Sequence, residues 1–151
     1  MTPVWQAVDE TARSLGLSLV SQPVRDPQDF ATLFVTLASQ RPDALIVLSD
    51  ALLYQHARQI AEFAARERVP MTSTFREYVA LGGLMSYGPD LVAVQRKAAD
   101  YIDKVLKGEN PAVLPFEQPT TFELVINLKS AKTLGLVVPH SLLQRADEVI
   151  E

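Results

Sequence analysis

The segment DALIVL at residues 43–48 constrains the fold of this 151-residue chain more than any other. Its apolar run is nearly continuous, not alternating, which suits a central parallel strand covered on both faces. Helical patterns flank it. Residues 28–40 place Phe30, Phe34, Leu37 and Ala38 on one side, and Asp29 favours the helix start. Residues 51–67 carry Leu53, Ile60, Phe63 and Ala64 at helical spacing. Upstream, residues 3–15 predict a helix, with Pro3 in its first turn and Gly16 at its end. Residues 17–24 (LSLVSQPV) predict a strand, and Pro70, Met71 and Thr72 begin another. Strand candidates separated by helices imply βαβ units with right-handed crossovers.

The pattern changes after Ser73. Residues 75–81 read as one or two helical turns closed by Gly82 and Gly83. Residues 84–87 are extended, and Gly88–Pro89–Asp90 turns the chain. A long helix is predicted over 91–107, with Val94, Ala98, Ile102 and Leu106 on one face and Gly108 after it. Pro111, Pro115 and Pro119 mark an extended connector. Residues 122–128 are extended, 129–134 form a short helix, and 140–150 a final helix. The expected divisions are 1–76, 77–115 and 116–151. The later part holds too few strands for a sheet of its own, so the first region, another copy or further sequence is expected to complete it.

Composition removes several functions. Fourteen Lys and Arg against eighteen Asp and Glu give a net charge of −4, and no basic block appears, so a nucleic-acid surface is not expected. Cysteine is absent, which excludes thiolate catalysis and cysteine metal sites. The two histidines, His56 and His140, are far apart, so no metal centre is expected, nor any cofactor. GxxxxGK[ST], GxGxxG after a strand, and GxSxG do not occur. No apolar run approaches the ~20 residues of a membrane span, and residues 1–16 do not read as an export signal.

The candidate site residues cluster after strands, because ligands of open α/β sheets gather outside the strand C-termini. Ser49 and Asp50 follow the 43–48 run. Either could cap the next helix, and Asp50 could also accept a hydrogen bond from a ligand ammonium or hydroxyl. Tyr54 stands one turn later, equally suited to a ligand or to the surface. Phe75 and Arg76 follow the 70–72 strand. A ring and a guanidinium there could stack on and pair with a carboxylate-bearing ligand, or Phe75 could belong to the core. Gly88 and Pro89 turn the chain after the 84–87 segment, and that turn could line a crevice or be only a turn. His56 and His140 are better explained as ordinary helix residues.

Longer stretches carry a resemblance. GGLMSYGPD at 82–90, AADYIDKVLKGENPAVLPFEQPTTFELVINLKSAKTLGLVVPHSLLQRADEVI at 98–150 and RPDALIVLSDALLYQHARQIAEFA at 41–64 resemble ABC transporter substrate-binding proteins of the tryptophan- and tyrosine-binding lipoprotein type. That resemblance implies a type I periplasmic-binding-protein fold, in which two α/β lobes with parallel sheets in three layers are joined by three crossings and ligand sits between them. It implies that this chain is similar to the C-terminal half: 1–76 in the second lobe, 84–87 and 91–107 in an incomplete portion of the first, and the segment after 116 returning. On that mapping Ser49 and Asp50 form a polar turn at the cleft, Phe75 and Arg76 the next turn, and Ser86, Tyr87 and Gly88 the hinge side. Phe75 and Arg76 depart from relatives, which often carry small or acidic residues there. The implied function is binding of a small amino-acid-like, aromatic or carboxylate solute for an ABC permease, outside the cytoplasm, without catalysis. A homodimer or segment swap through 77–130 is expected. A ligand-sensing or oligomerisation module, or a flavodoxin-like enzyme, are the alternatives.

Overall fold

The computed structural model describes residues 3–151. Two helices, α1 (Pro3–Ser14) and α2 (Asp29–Gln40), precede the first strand. Then come β1 (Leu45–Val47), α3 (Ala51–Gln55), α4 (Ala57–Glu67), β2 (Met71–Ser73), α5 (Glu77–Ala80) and β3 (Met85–Pro89). After these follow α6 (Leu91–Leu106), a 3₁₀ turn at Pro111–Val113, β4 (Phe122–Asn127), α7 (Leu128–Leu134), α8 (His140–Leu143) and β5 (Glu148–Ile150). The strands form one five-stranded sheet in the order β1-β2-β3-β4-β5. β1, β2 and β3 are parallel, β4 runs antiparallel to β3, and β5 is parallel to β4.

Register sorts side chains onto two faces. Val47, Ser73, Ser86, Val125 and Glu148 form one row, and Ile46, Thr72, Met85, Ile126 and Val149 form the neighbouring row on the other face. Val47 and Met71 pack with Ala57, Ile60, Ala61 and Ala64 of α4, Phe30 of α2 and Tyr78 of α5. Helix α4 therefore lays its apolar stripe on the first face. Phe63 and Phe34 stack at 4.8 Å and join α4 to α2.

Four expectations are corrected. First, the DALIVL strand is not central. β1 is a sheet edge, and Ile46 is 49% exposed on the second face. Second, the strand expected at 17–24 makes no ladder. Pro23 lacks a donor there, and Leu17 and Val20 lie exposed, so among the described residues no strand pairs on the outer edge of β1. Third, the helix expected over 51–67 breaks at His56 (φ −103°, ψ 16°). The imidazole Nδ1 lies 2.9 Å from the Leu52 carbonyl, and the ring stacks on Phe30 at 4.6 Å, which holds the residue out of helical geometry. Fourth, the final helix ends at Leu143 and residues 148–150 are a strand. Asp147 explains the change: its N–H donates to the Leu124 carbonyl at 2.9 Å, and its Oδ2 accepts from Leu124 N at 2.8 Å, clamping the chain beside β4.

The segment assigned by resemblance to another lobe, 84–87, also sits elsewhere. β3 is the middle strand of the sheet, bonded to β2 and β4. Helix α6 does leave the sheet. Its N-terminus is capped by Asp90, whose Oδ1 accepts from Val92 N at 2.8 Å and Ala93 N at 3.1 Å, yet none of its residues is buried. The connector after it folds back: Tyr101 donates its hydroxyl proton to the Pro115 carbonyl at 2.6 Å, and Lys97 pairs with Glu117. Between helix and connector runs an apolar groove of about 410 Å³, lined by Ile102, Val105, Leu106, Leu114 and Phe116 among others. Phe116 is 97% exposed.

Helix α5 is locked to the sheet by Tyr78, 2% exposed, whose hydroxyl donates to the Leu53 carbonyl at 2.7 Å. Burial, with Asp50 nearby, pushes this phenol up to about 12. Tyr78→Phe keeps the ring and strands the carbonyl, so it should lower unfolding stability by about 1 kcal/mol, seen as a lower urea midpoint with unchanged slope.

Candidate functional site

The C-terminal ends of β1 and β2 and the start of β4 converge on one rim. After β1, Asp50 takes extended geometry and caps α3: its Oδ1 accepts from Leu52 N at 2.8 Å and Leu53 N at 3.2 Å. The cap fixes the first turn of α3 and with it Tyr54. The Tyr54 ring meets Phe75 edge-on, 5.3 Å between centroids at 76°. Phe75 is held in turn by its own carbonyl, which accepts from Ser73 Oγ at 2.8 Å. Ser49 is exposed beside Asp50. The structure thus brings Asp50, Tyr54, Phe75 and Arg76 to one rim.

Arg76 is not a free cation. One guanidinium nitrogen donates to Glu123 Oε2 at 3.1 Å, and the other pairs with Glu148. These partners lie 47 and 72 residues away in sequence and enter through β4 and β5. Glu123, and Glu148 through its side-chain hydrogen bond, raise the guanidinium's pKa further. The Glu123 carboxyl moves up even so, because desolvation and the charges of Asp90, Glu148 and Glu77 outweigh the opposing pull of Arg76. Carboxylates therefore outnumber the cation they surround. Sequence reading found Arg76 and missed both of its partners. Only the register of β4 and β5 shows that Glu123 and Glu148 share the face on which α5 begins.

The hinge-side trio separates. Ser86 is 1% exposed, and its Oγ is buried without a hydrogen-bond partner among the described residues. Tyr87 points to the opposite face, 62% exposed, and stacks on Phe122 at 5.8 Å. Phe122 is a third residue that sequence reading did not single out. Gly88 has a packing role. A Cβ there would lie 2.0 Å from the Thr74 carbonyl oxygen, so the β2–α5 turn crosses directly over β3. Among the described residues no group of three or more His, Asp or Glu side chains is arranged to hold a metal ion.

This arrangement, with polar turns after parallel strands and a helix projecting from the sheet, agrees with the comparisons. The family model for "ABC transporter substrate binding protein" matches residues 2–150. The chain belongs to this family. It is similar in structure to the "ABC domain in complex with L-Trp" from Streptococcus pneumonia, with 26% identity and a TM-score of 0.89 over 97% of this chain and 50% of that one. A conserved domain protein from Vibrio cholerae (24% identity, TM-score 0.87, 97% of this chain and 49% of that one) has the same fold. So does a ligand-free, open substrate binding protein with adhesive properties from Clostridium difficile (20% identity, TM-score 0.65, 97% and 48%). No curated protein matches significantly. The chain thus spans about half the length of the solved structures it matches.

Within a substrate-binding fold of this family, the sheet is one lobe of the type I periplasmic-binding architecture. The rim of Asp50, Tyr54, Phe75 and Arg76 stands in the turns that follow the C-terminal ends of β1 and β2. Gly88→Ala tests the close crossing that shapes this rim. It should cost about 3 kcal/mol of stability, at the upper end for overpacking because backbone opposes backbone. Gly108→Ala, where a Cβ meets nothing within 4 Å but φ is +99°, should cost about 1 kcal/mol. Urea denaturation of both variants gives the comparison.

Proposed function

We propose that the chain forms one wall of a solute-binding cleft in an ABC importer and holds a small amino-acid-like or aromatic solute. The family match over residues 2–150 carries this reading. The rim supports it: a carboxylate at Asp50 and ring edges at Tyr54 and Phe75 stand together at strand C-termini. The action is binding and release by lobe closure, without chemistry on the solute. In closing, two walls share one ligand and affinity comes from enclosing it. The partner that receives the solute is an ABC permease, and the site of action is extracytoplasmic.

The facing wall comes from sequence beyond this half-length or from a second copy. The apolar groove between α6 and residues 111–119 supports pairing of copies in the isolated chain, because that groove has no cover from the sheet. A thermal-shift series over amino acids and small carboxylates should give a rise in melting temperature with aromatic amino acids and none with sugars. Failure of every amino acid and carboxylate to stabilise a two-walled form would overturn the reading.

Light scattering of the isolated chain at micromolar concentration should give twice 16.7 kDa. Ile102→Asp with Phe116→Asp, both in exposed positions, should return it to one copy without loss of helicity. A single-copy mass for the unmodified chain would sink the pairing.

A further inference from the structure

We propose that this wall selects its solute by a positively charged group beside an aromatic or apolar body, and that Arg76 serves to shape the rim and does not receive a solute carboxylate. The inference rests on the solute-binding reading above and names the charge that the wall prefers.

The argument begins with Arg76. A guanidinium at a cleft rim would ordinarily favour an anionic ligand. Here both terminal nitrogens are engaged, by Glu123 and Glu148. Those carboxylates are fixed by strands β4 and β5, so freeing the guanidinium means breaking two ion pairs held by the sheet. An incoming carboxylate would be one more anion around a single cation, since Glu77 also acts on Arg76. The excess is visible at Glu123, whose carboxyl stays above its ordinary range although it touches Arg76.

The remaining groups suit a cation. Asp50 uses Oδ1 for the two α3 amides, and its carboxylate is exposed at the rim. Tyr54, on the helical turn that Asp50 caps, sits edge to face with Phe75, so the rim carries a ring pair as well as that carboxylate. An ammonium that meets a carboxylate and an aromatic face gains from both. An anion of the same shape gains the ring contact but meets the surplus of carboxylates around Arg76 and at Asp50. The wall therefore discriminates by charge sign, and the apolar body of the solute supplies contact area.

Three ligands with one ring system test this: tryptamine (cation), L-tryptophan (zwitterion) and indole-3-propionate (anion). Each is titrated into the ¹⁵N-labelled chain at pH 7, at low and at physiological salt, with amide shifts read at residues 50–54 and 75–76. Tryptamine should bind at least as tightly as tryptophan and about tenfold more tightly than indole-3-propionate, with the gap narrowing as salt rises.

Asp50→Asn retains a capping oxygen, so its melting temperature should hold while tryptamine affinity falls about fivefold. Glu123→Gln with Glu148→Gln releases Arg76 and should move the preference toward the anion. Indole-3-propionate binding the unmodified chain as tightly as tryptamine overturns the inference and leaves solute binding intact. No shift at the rim with any of the three overturns the inference that this wall selects the solute, while the solute-binding reading itself stands or falls with the thermal-shift series on a two-walled form.

Discussion

The four-residue helix α5 is the contact on which the rest depends. Val79 is fully buried, and its carbonyl accepts a hydrogen bond from Asn127 Nδ2 at 3.2 Å. Tyr78 reaches Leu53 on α3. Before α5 the Thr74 carbonyl lies against Gly88, and after it Gly83 leaves room for the Tyr78 carbonyl, 2.8 Å from where a Cβ would be. One helical turn thereby joins β2, β3, β4 and α3. So short a helix has little stability of its own. Its geometry comes from these tertiary contacts, and the rim inherits that geometry, since Phe75 and Arg76 are the residues that lead into α5.

Local pattern made much of this fold legible. The stripe of Ile60, Phe63 and Ala64 gave α4, and Asp50 and Asp90 were placed where helices begin. What failed was information held in pairing. DALIVL reads as a central strand because hydrophobicity reports burial of the segment and not the number of its neighbours. The edge position follows from the unpaired 17–24 segment, where Pro23 interrupts the donors. Residues 148–150 read as helix in sequence because three residues are too few to show alternation, and Asp147 acts only once β4 is beside it.

The site divides along the same line. Asp50, Tyr54, Phe75 and Arg76 are near one another in the chain of strand ends, so topology alone gathers them. The family resemblance adds Ser86 and Tyr87, adjacent in sequence, to the same site. Strand geometry sends adjacent side chains to opposite faces, and so one is interior and the other stacks on Phe122. Glycine at 88 signalled a turn. Its requirement is a backbone crossing, which no local pattern announces.

The ion pairs of Arg76 are better understood through placement than through stability. Arg76 is 47% exposed at its side chain and Glu148 44%, so solvent screens much of their attraction. Pairs of that kind contribute about 0–1 kcal/mol. Glu123 is more enclosed, at 20%, and its raised pKa places a modest cost on its ionised form in the fold. With the folded value above the unfolded one, this carboxyl favours the folded state at acid pH and opposes it once pH passes through the raised value. A network that adds little to stability, and carries one disfavoured charge, still sets the potential at the strand ends. Its consequence is one of placement, because both terminal nitrogens of the guanidinium are occupied by carboxylates that β4 and β5 bring to the start of α5.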